Sequence, residues 1–125
     1  MIFTMNEARI PDPAELLDLV QDALFVVDED GKLLHVSAGC QYLLGYRPSE
    51  LLGTNIVDHV HPEDRERTLS RVWQIMAGVS ATRFRNRWLH KLGHPVEIEW
   101  AANWSERHRV RVATARAVEA PEPRV

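Results

Sequence analysis

A chain of 125 residues with 45% hydrophobic and 26% charged side chains has room for one domain around one hydrophobic core, and the mixture is that of an ordinary globular fold. A formal net charge of -3 and a pI near 6.0 exclude a general electrostatic pull toward nucleic acid. Cys40 has no second cysteine to pair with, which excludes an intramolecular disulfide framework and fits a reducing compartment, and no apolar run reaches the roughly 18 residues of a membrane span.

Residues 1–13, MIFTMNEARIPDP, carry acidic side chains and prolines where a secretion signal needs a basic stretch followed by about 7–15 apolar residues. They read as a flexible lead-in to a cytoplasmic domain covering residues 14–118. Over residues 14–21, Leu16, Leu17, Leu19 and Val20 recur at helical spacing and predict a short amphipathic helix. Its greasy side can pack on its own domain or meet a second copy of the chain, and for a dimer contact the candidates are Leu16, Leu17 and Val20.

Residues 23–27 form a short apolar run rich in strand formers, followed by Asp28-Glu29-Asp30-Gly31, a turn sequence, and a returning strand over residues 33–36. The Ser37 hydroxyl is placed to cap a helix running through Gln41 to Leu44, which Gly45 ends in a left-handed conformation. Cys40 and Leu43 or Leu44, three and four residues apart, share a face of that helix that is expected to be the buried one, and a thiol with no cation beside it reads as a small core residue. The stretch Arg47-Pro48-Ser49-Glu50-Leu51-Leu52-Gly53 repeats this grammar in miniature, and residues 56–60 supply another short apolar element.

His61-Pro62-Glu63-Asp64 opens the longest helix, with Pro62 suited to its first position and two acids facing the positive end of its dipole. Leu69, Val72, Trp73 and Met76 are its expected apolar stripe, and Gly78 its stop. Residues 82–91 alternate as a strand, with Arg83, Arg85 and Arg87 on one face and Phe84, Asn86 and Trp88 on the other. After a turn at Gly93 and Pro95, Val96, Ile98, Trp100 and Trp104 alternate against Glu97, Glu99 and Asn103, and residues 108–118 make a third strand. Directly opposed unlike charges contribute roughly 0.2–1 kcal/mol, so the arginine row is expected to pair with Glu97 and Glu99. Residues 119–125, with two prolines, read as a linker.

The order is helix, hairpin, short helices, one long helix and three antiparallel strands. With it come Asp28 to Gly31 in the first turn, Leu43-Leu44-Gly45-Tyr46, Glu50-Leu51-Leu52-Gly53, His61-Pro62-Glu63-Asp64-Arg65, and Gly93 between the later strands. This ordered set resembles a PAS sensory domain over about residues 16–118. The resemblance implies an α+β fold, with a five-stranded antiparallel sheet, short helices on one face and an N-terminal amphipathic helix. It also implies a sensory module, commonly dimeric, that serves a histidine kinase or other two-component protein, a cyclic-dinucleotide enzyme or a transcription regulator, with the output domain or partner protein elsewhere. Two departures stand out: Ser37 where the family often has asparagine, and no Asp-Ile-Thr ending after Val118.

The same resemblance narrows the cofactors without naming one. Photosensors of the family form a flavin adduct through an Asn-Cys-Arg motif, whose positions here hold Asn55, Ile56 and Val57, and the haem sensors carry an axial histidine on the long helix, where residues 65–78 have none. Both modes are disfavoured, and the cofactor is left unknown. A small, mostly apolar ligand is expected between the sheet and the helices. Its pocket candidates are Phe25, Cys40, Leu44, Tyr46, Ile56, Val60, Val72, Met76, Phe84, Asn86, Trp88 and Trp100, with Asn86 and Tyr46 as polar contacts, unless these large side chains simply fill the core.

No catalytic or metal site is assigned. His59 and His61 lie near Asp58, Glu63 and Asp64, but no Cys/His cluster at zinc spacing accompanies them, so they read as capping and packing residues. No Gly-x-Ser-x-Gly elbow or glycine-rich phosphate loop is present. The competing class is a small cone-shaped α+β enzyme or isomerase, which would place a carboxylate and a histidine inside one deep apolar cavity.

Overall fold

In the computed structural model, which describes residues 9–79 and 81–118, one five-stranded antiparallel sheet carries the helices that build the core. Helix α1 (Pro13–Leu19) leads into strand β1 (Ala23–Asp28), strand β2 (Leu33–Val36), helix α2 (Cys40–Leu44) and helix α3 (Pro48–Leu51). Single 3-10 turns follow at Ile56–Asp58 and Pro62–Asp64, then helix α4 (Arg65–Met76) and strands β3 (Ala81–Leu89), β4 (Pro95–Ser105) and β5 (Val110–Ala117). The sheet order is β2-β1-β5-β4-β3, so the first and last strands of the chain meet at the centre. The expected α+β architecture is present, while most of the lead-in and the segment after residue 118 lie outside the described residues.

The turn and cap residues act as their chemistry dictates. Asp28 Oδ1 accepts the N–H groups of Asp30 and Lys32, both at 2.9 Å, and Gly31 takes φ 90° to close the first hairpin. Gly45 ends α2 at φ 77°, a left-handed cap that a side chain would strain and that would drive a Cβ into the His90 ring. Ser37 departs from expectation. Its buried hydroxyl accepts the Leu24 N–H at 2.8 Å, and the α2 side of that joint is served by Asp18, whose Oδ1 accepts the Ala38 N–H at 3.0 Å. The helix begins two residues later than a Ser37 cap would start it, so the hydroxyl is spent on the end of β1.

Across the inner face of the sheet, the register sets small residues beside large ones. Ala115 lies between Ala23 and Trp100, Ala113 between Phe25 and Ala102, and Arg111 between Val27 and Trp104. Phe25 packs against Trp100 and Trp88, with ring centroids 5.1 and 5.5 Å apart, so one end of the inner face is filled by aromatic rings. Ala102 and Ala113, side by side in the register next to Phe25, fill far less.

Helix α4 is rolled away from its expected orientation. Its buried residues are Thr68 and Ile75, whereas Leu69 and Trp73 face outward, Trp73 with 67% of its surface exposed, and Val72 and Met76 are half-buried. Two polar ties set the roll. Asn86 Nδ2–H donates to Thr68 Oγ1 at 3.1 Å, and the buried Asp64 carboxylate accepts the Arg87 backbone N–H at 2.8 Å and two guanidinium N–H groups at 3.0 and 2.8 Å. Asp64, Thr68, Arg71 and Ile75 therefore line up toward the sheet at helical spacing.

The same clamp corrects the arginine row. Arg85 reaches Glu99 at 3.7 Å as the register requires, but Arg87, opposite Glu97, turns instead to Asp64 and to Glu63 at 3.1 Å. Together with the bonds His61 N–H to Arg87 C=O and Leu89 N–H to His59 C=O, both 2.8 Å, this covers the open edge of β3 with residues 59–64.

Candidate functional site

A cavity of about 50 Å³ lies between the inner face of the sheet and α4. It forms above Ala102 and Ala113, where two adjacent small residues leave the space that α4 spans. Of the expected pocket residues, Phe25, Ile56, Val72, Phe84, Asn86, Trp88 and Trp100 line it.

The other five do not. Cys40 and Leu44 are fully buried under α2, on the far side of the aromatic group, and Cys40 Sγ–H points to the Tyr46 C=O at 3.4 Å. Burial raises the thiol to about 11, so Cys40 stays protonated at neutral pH. Tyr46 stacks edge-on against His59, Val60 bridges to Trp88 at the β3 edge, and Met76 lies past the end of the lining stretch of α4. Cys40 and Leu44 belong to the core that α2 closes, and Tyr46, Val60 and Met76 lie outside the lining for the separate reasons just given.

The histidines are absorbed locally. His59 stacks on Trp88 at 13° with its Nε2 2.8 Å from Thr54 Oγ1, and burial lowers its pKa, which favours the neutral ring. His61 Nδ1 accepts the Glu63 N–H at 3.1 Å, a cap on the turn before α4. Asp64, read from the sequence as a dipole partner, is committed to Arg87, whose hydrogen bonds hold its carboxyl down at about 2.

Sequence reasoning missed Val27, Thr68, Arg71, Ile75, Ala102, Arg111 and Ala113, all of which line the cavity. Four polar side chains stand in an otherwise apolar wall. Asn86 is used within it, since Oδ1 accepts the Trp100 Nε1–H at 2.7 Å and Nδ2 donates to Thr68. Arg71 lies over the Phe84 ring, 5.4 Å from its centroid.

Arg111 is the outlier. It is 5% exposed, and its Nη1 is buried with no hydrogen-bond partner among the described residues. Desolvation lowers its pKa to about 10, opposed by the field of Asp28, so it remains a cation at neutral pH. The lining holds two guanidinium groups, no histidine and no carboxylate among the described residues, an arrangement that can hold a ligand but offers no acid and base facing each other. The signal in the sequence was Ala113 and Ala115 alternating with Arg111: small residues on the inward side of β5 put the arginine on that side too.

The family model described as the PAS fold matches residues 33–116. Over 52 residues the chain is 35% identical to the White collar 2 protein of Neurospora crassa, covering 42% of this chain and 10% of that protein. The chain thus spans about a tenth of the length of that curated relative. Among solved structures, the PAS domain of a protein from Colwellia psychrerythraea superposes with a TM-score of 0.72 at 24% identity, covering 92% of this chain and 98% of that one. A domain of the sensory box sensor histidine kinase/response regulator from Geobacter sulfurreducens does so with a TM-score of 0.71 at 19% identity, covering 89% and 91%. With two thirds of its length matched by the family model and the sheet order, hairpin turn and helical cover in place, the chain belongs to the PAS fold family.

Proposed function

We propose that this chain is the sensory module of a signal-transduction protein, taking a small ligand into the cavity beneath α4 and passing the resulting shift through β5 and α1 to a partner copy or an output domain. The observation that carries this reading is the cavity itself, an unfilled, largely apolar space on the central strand of the sheet. β5 pairs with both β1 and β4, so a change in how α4 sits above Ala113 is felt across the sheet. The kinship with a domain of a sensory box histidine kinase supports the signalling role, and the output is left to whatever domain or protein the module serves.

Size limits the ligand. A space of about 50 Å³ is far below the roughly 300–1,000 Å³ of pockets that take drug-sized molecules, so flavin and haem are not proposed and a ligand of a few heavy atoms is. A ligand can shift the equilibrium between two arrangements of α4 only by binding one of them better, and a poorly filled contact under that helix is where two arrangements differ least in energy.

The test is occupancy. Titration of the chain with 1-propanol, followed by amide NMR shifts, is expected to give saturable changes at Ala102 and Ala113 that extend along β5. Ala113→Val, which fills the space with two carbons on a strand that suits β-branching, is expected to keep the fold and abolish those changes. Shifts in the wild type that never saturate, with 1-propanol and with sodium propionate alike, would mean that the cavity takes no small ligand and that the module works by protein contact alone.

A further inference from the structure

We propose that the ligand is a short aliphatic monocarboxylate, its carboxylate held by the Arg111 guanidinium and its hydrocarbon end lying against Phe25, Val72, Ile75 and Ala102. This rests on the cavity being a ligand site and goes on to name the chemistry of what enters it.

The buried Arg111 guanidinium has an Nη1 without a hydrogen-bond partner among the described residues, and only the field of Asp28 opposes its desolvation. A buried cation without a hydrogen-bonded partner costs several kcal/mol relative to water. Asp28 reaches Arg111 through its field, but no described acid gives the Arg111 Nη1 a hydrogen bond. Asp28, one residue past the Val27 that pairs with Arg111, spends Oδ1 on the two N–H groups of its own turn. Glu29 and Glu106 pair with Arg109, at 3.3 and 2.6 Å. Asp64 is held by Arg87. No described acid lines the cavity, whereas Arg71 adds a second positive charge to its wall.

The remaining chemistry selects within the anions. A guanidinium presents a planar fork that matches a carboxylate in two parallel hydrogen bonds. Thr68 Oγ1, which accepts from Asn86, has a proton of its own to give. The rest of the wall is hydrocarbon, so inorganic phosphate or sulfate, with oxygens on every side, would leave most of them unsatisfied. A water needs about 10–15 Å³ of such space, so about 50 Å³ corresponds to about three to five water-sized groups, the bulk of a two- or three-carbon acid.

The experiment compares sodium propionate, 1-propanol and sodium phosphate on the full chain, read by NMR shifts at Ala102 and Ala113 and at the Arg111 side-chain Nε–H. Propionate is expected to bind at least about tenfold tighter than 1-propanol, the difference made by charge-assisted hydrogen bonds, and phosphate is expected not to saturate. Arg111→Met is expected to lose that preference while 1-propanol still binds, which shows that the cavity survived the substitution. Equal binding of propionate and 1-propanol by the wild type overturns the carboxylate assignment and leaves the ligand cavity standing, a result that does not depend on any variant folding. Undiminished propionate preference in Arg111→Met overturns it as well. Saturation by neither propionate nor 1-propanol removes both this proposal and the ligand site on which it rests.

Discussion

The same sheet is covered twice, and the two covers differ in how completely they close. Under α2 and α3, Cys40, Leu44 and Leu51 are all fully buried. Under α4, Thr68 and Ile75 are buried while Val72 is half-buried, Leu69 and Trp73 face outward, and a cavity remains. The first cover is closed by apolar packing and tied at its margin by the Lys91 N–H to Leu44 C=O bond at 2.9 Å and the Lys91–Glu50 pair at 2.7 Å. The second is held at its edges by Asp64–Arg87 and Thr68–Asn86 and is loosely filled between them. A scaffold and an adaptable lid on one sheet are what a ligand-responsive module needs, because only the lid can move without unfolding the core.

The comparison can be broken by truncation on each side. Leu44→Ala empties a fully enclosed site and is expected to cost about 2–5 kcal/mol, the range for deleting a buried leucine. Val72→Ala borders space that already exists and is half-buried, so its cost is expected to be below about 1 kcal/mol. Denaturant unfolding at constant m-value measures both. Comparable losses would mean that α4 is packed as tightly as α2.

The edge clamp gives the next largest effect, and it depends on pH. Its hydrogen bonds to Arg87 take Asp64 from 3.8 in its ordinary state down to about 2 in the fold. A carboxylate whose pKa falls on folding contributes stability that is fully present above its unfolded value and is lost as pH falls through the folded one. Asp64→Asn is therefore expected to cost about 1.5–3 kcal/mol at neutral pH, the usual worth of hydrogen bonds to a charged group. The gap between variant and wild type should close as pH drops from about 4 toward 2. Thermal melts across that window test the sign, and a gap independent of pH would mean that Asp64 acts through its shape rather than its charge.

What the sequence revealed and what it hid divide along the same line. The turn at Asp28 to Gly31, the left-handed stop at Gly45 and the Pro62 entry to the long helix were legible because each is settled by a few adjacent residues. The roll of α4 was not. Leu69 and Trp73 are its larger apolar side chains, yet polar ties to residues 18 and 23 positions away outrank them. On β5 the same thing happens in miniature, where Val112 is exposed and Arg111 buried because Arg111 shares the inward side of the strand with Ala113 and Ala115. Half of the cavity wall was recognisable, its large aromatic and aliphatic side chains with Asn86; the missed half combines small or medium apolar residues, which carry little signal, with Thr68, Arg71 and Arg111, hidden because burial of an arginine is unfavourable by composition alone.

The smallest effect on the fold is expected at α1, and there the readout is association. The helix buries none of its seven residues. Leu17 is half-buried, so packing on its own domain accounts for little of the greasy side. Leu16 and Leu19, at i and i+3, turn outward with 47% and 73% of their surface exposed, and Val20, in extended backbone just past the helix end, is exposed as well. Beside them an open groove is lined by Tyr42, Leu43, Arg116 and Val118. On our proposal that a second copy related by a two-fold axis covers this face, Leu19, the most exposed of these residues, joins the expected contacts Leu16, Leu17 and Val20. Leu19→Glu is expected to change unfolding free energy by less than about 0.5 kcal/mol, as exposed substitutions do, while moving sedimentation from dimer to monomer. A wild type that sediments as a monomer at high micromolar concentration, or a variant that stays dimeric, would place the transmission of the signal on the outer face of the sheet instead of on this helix.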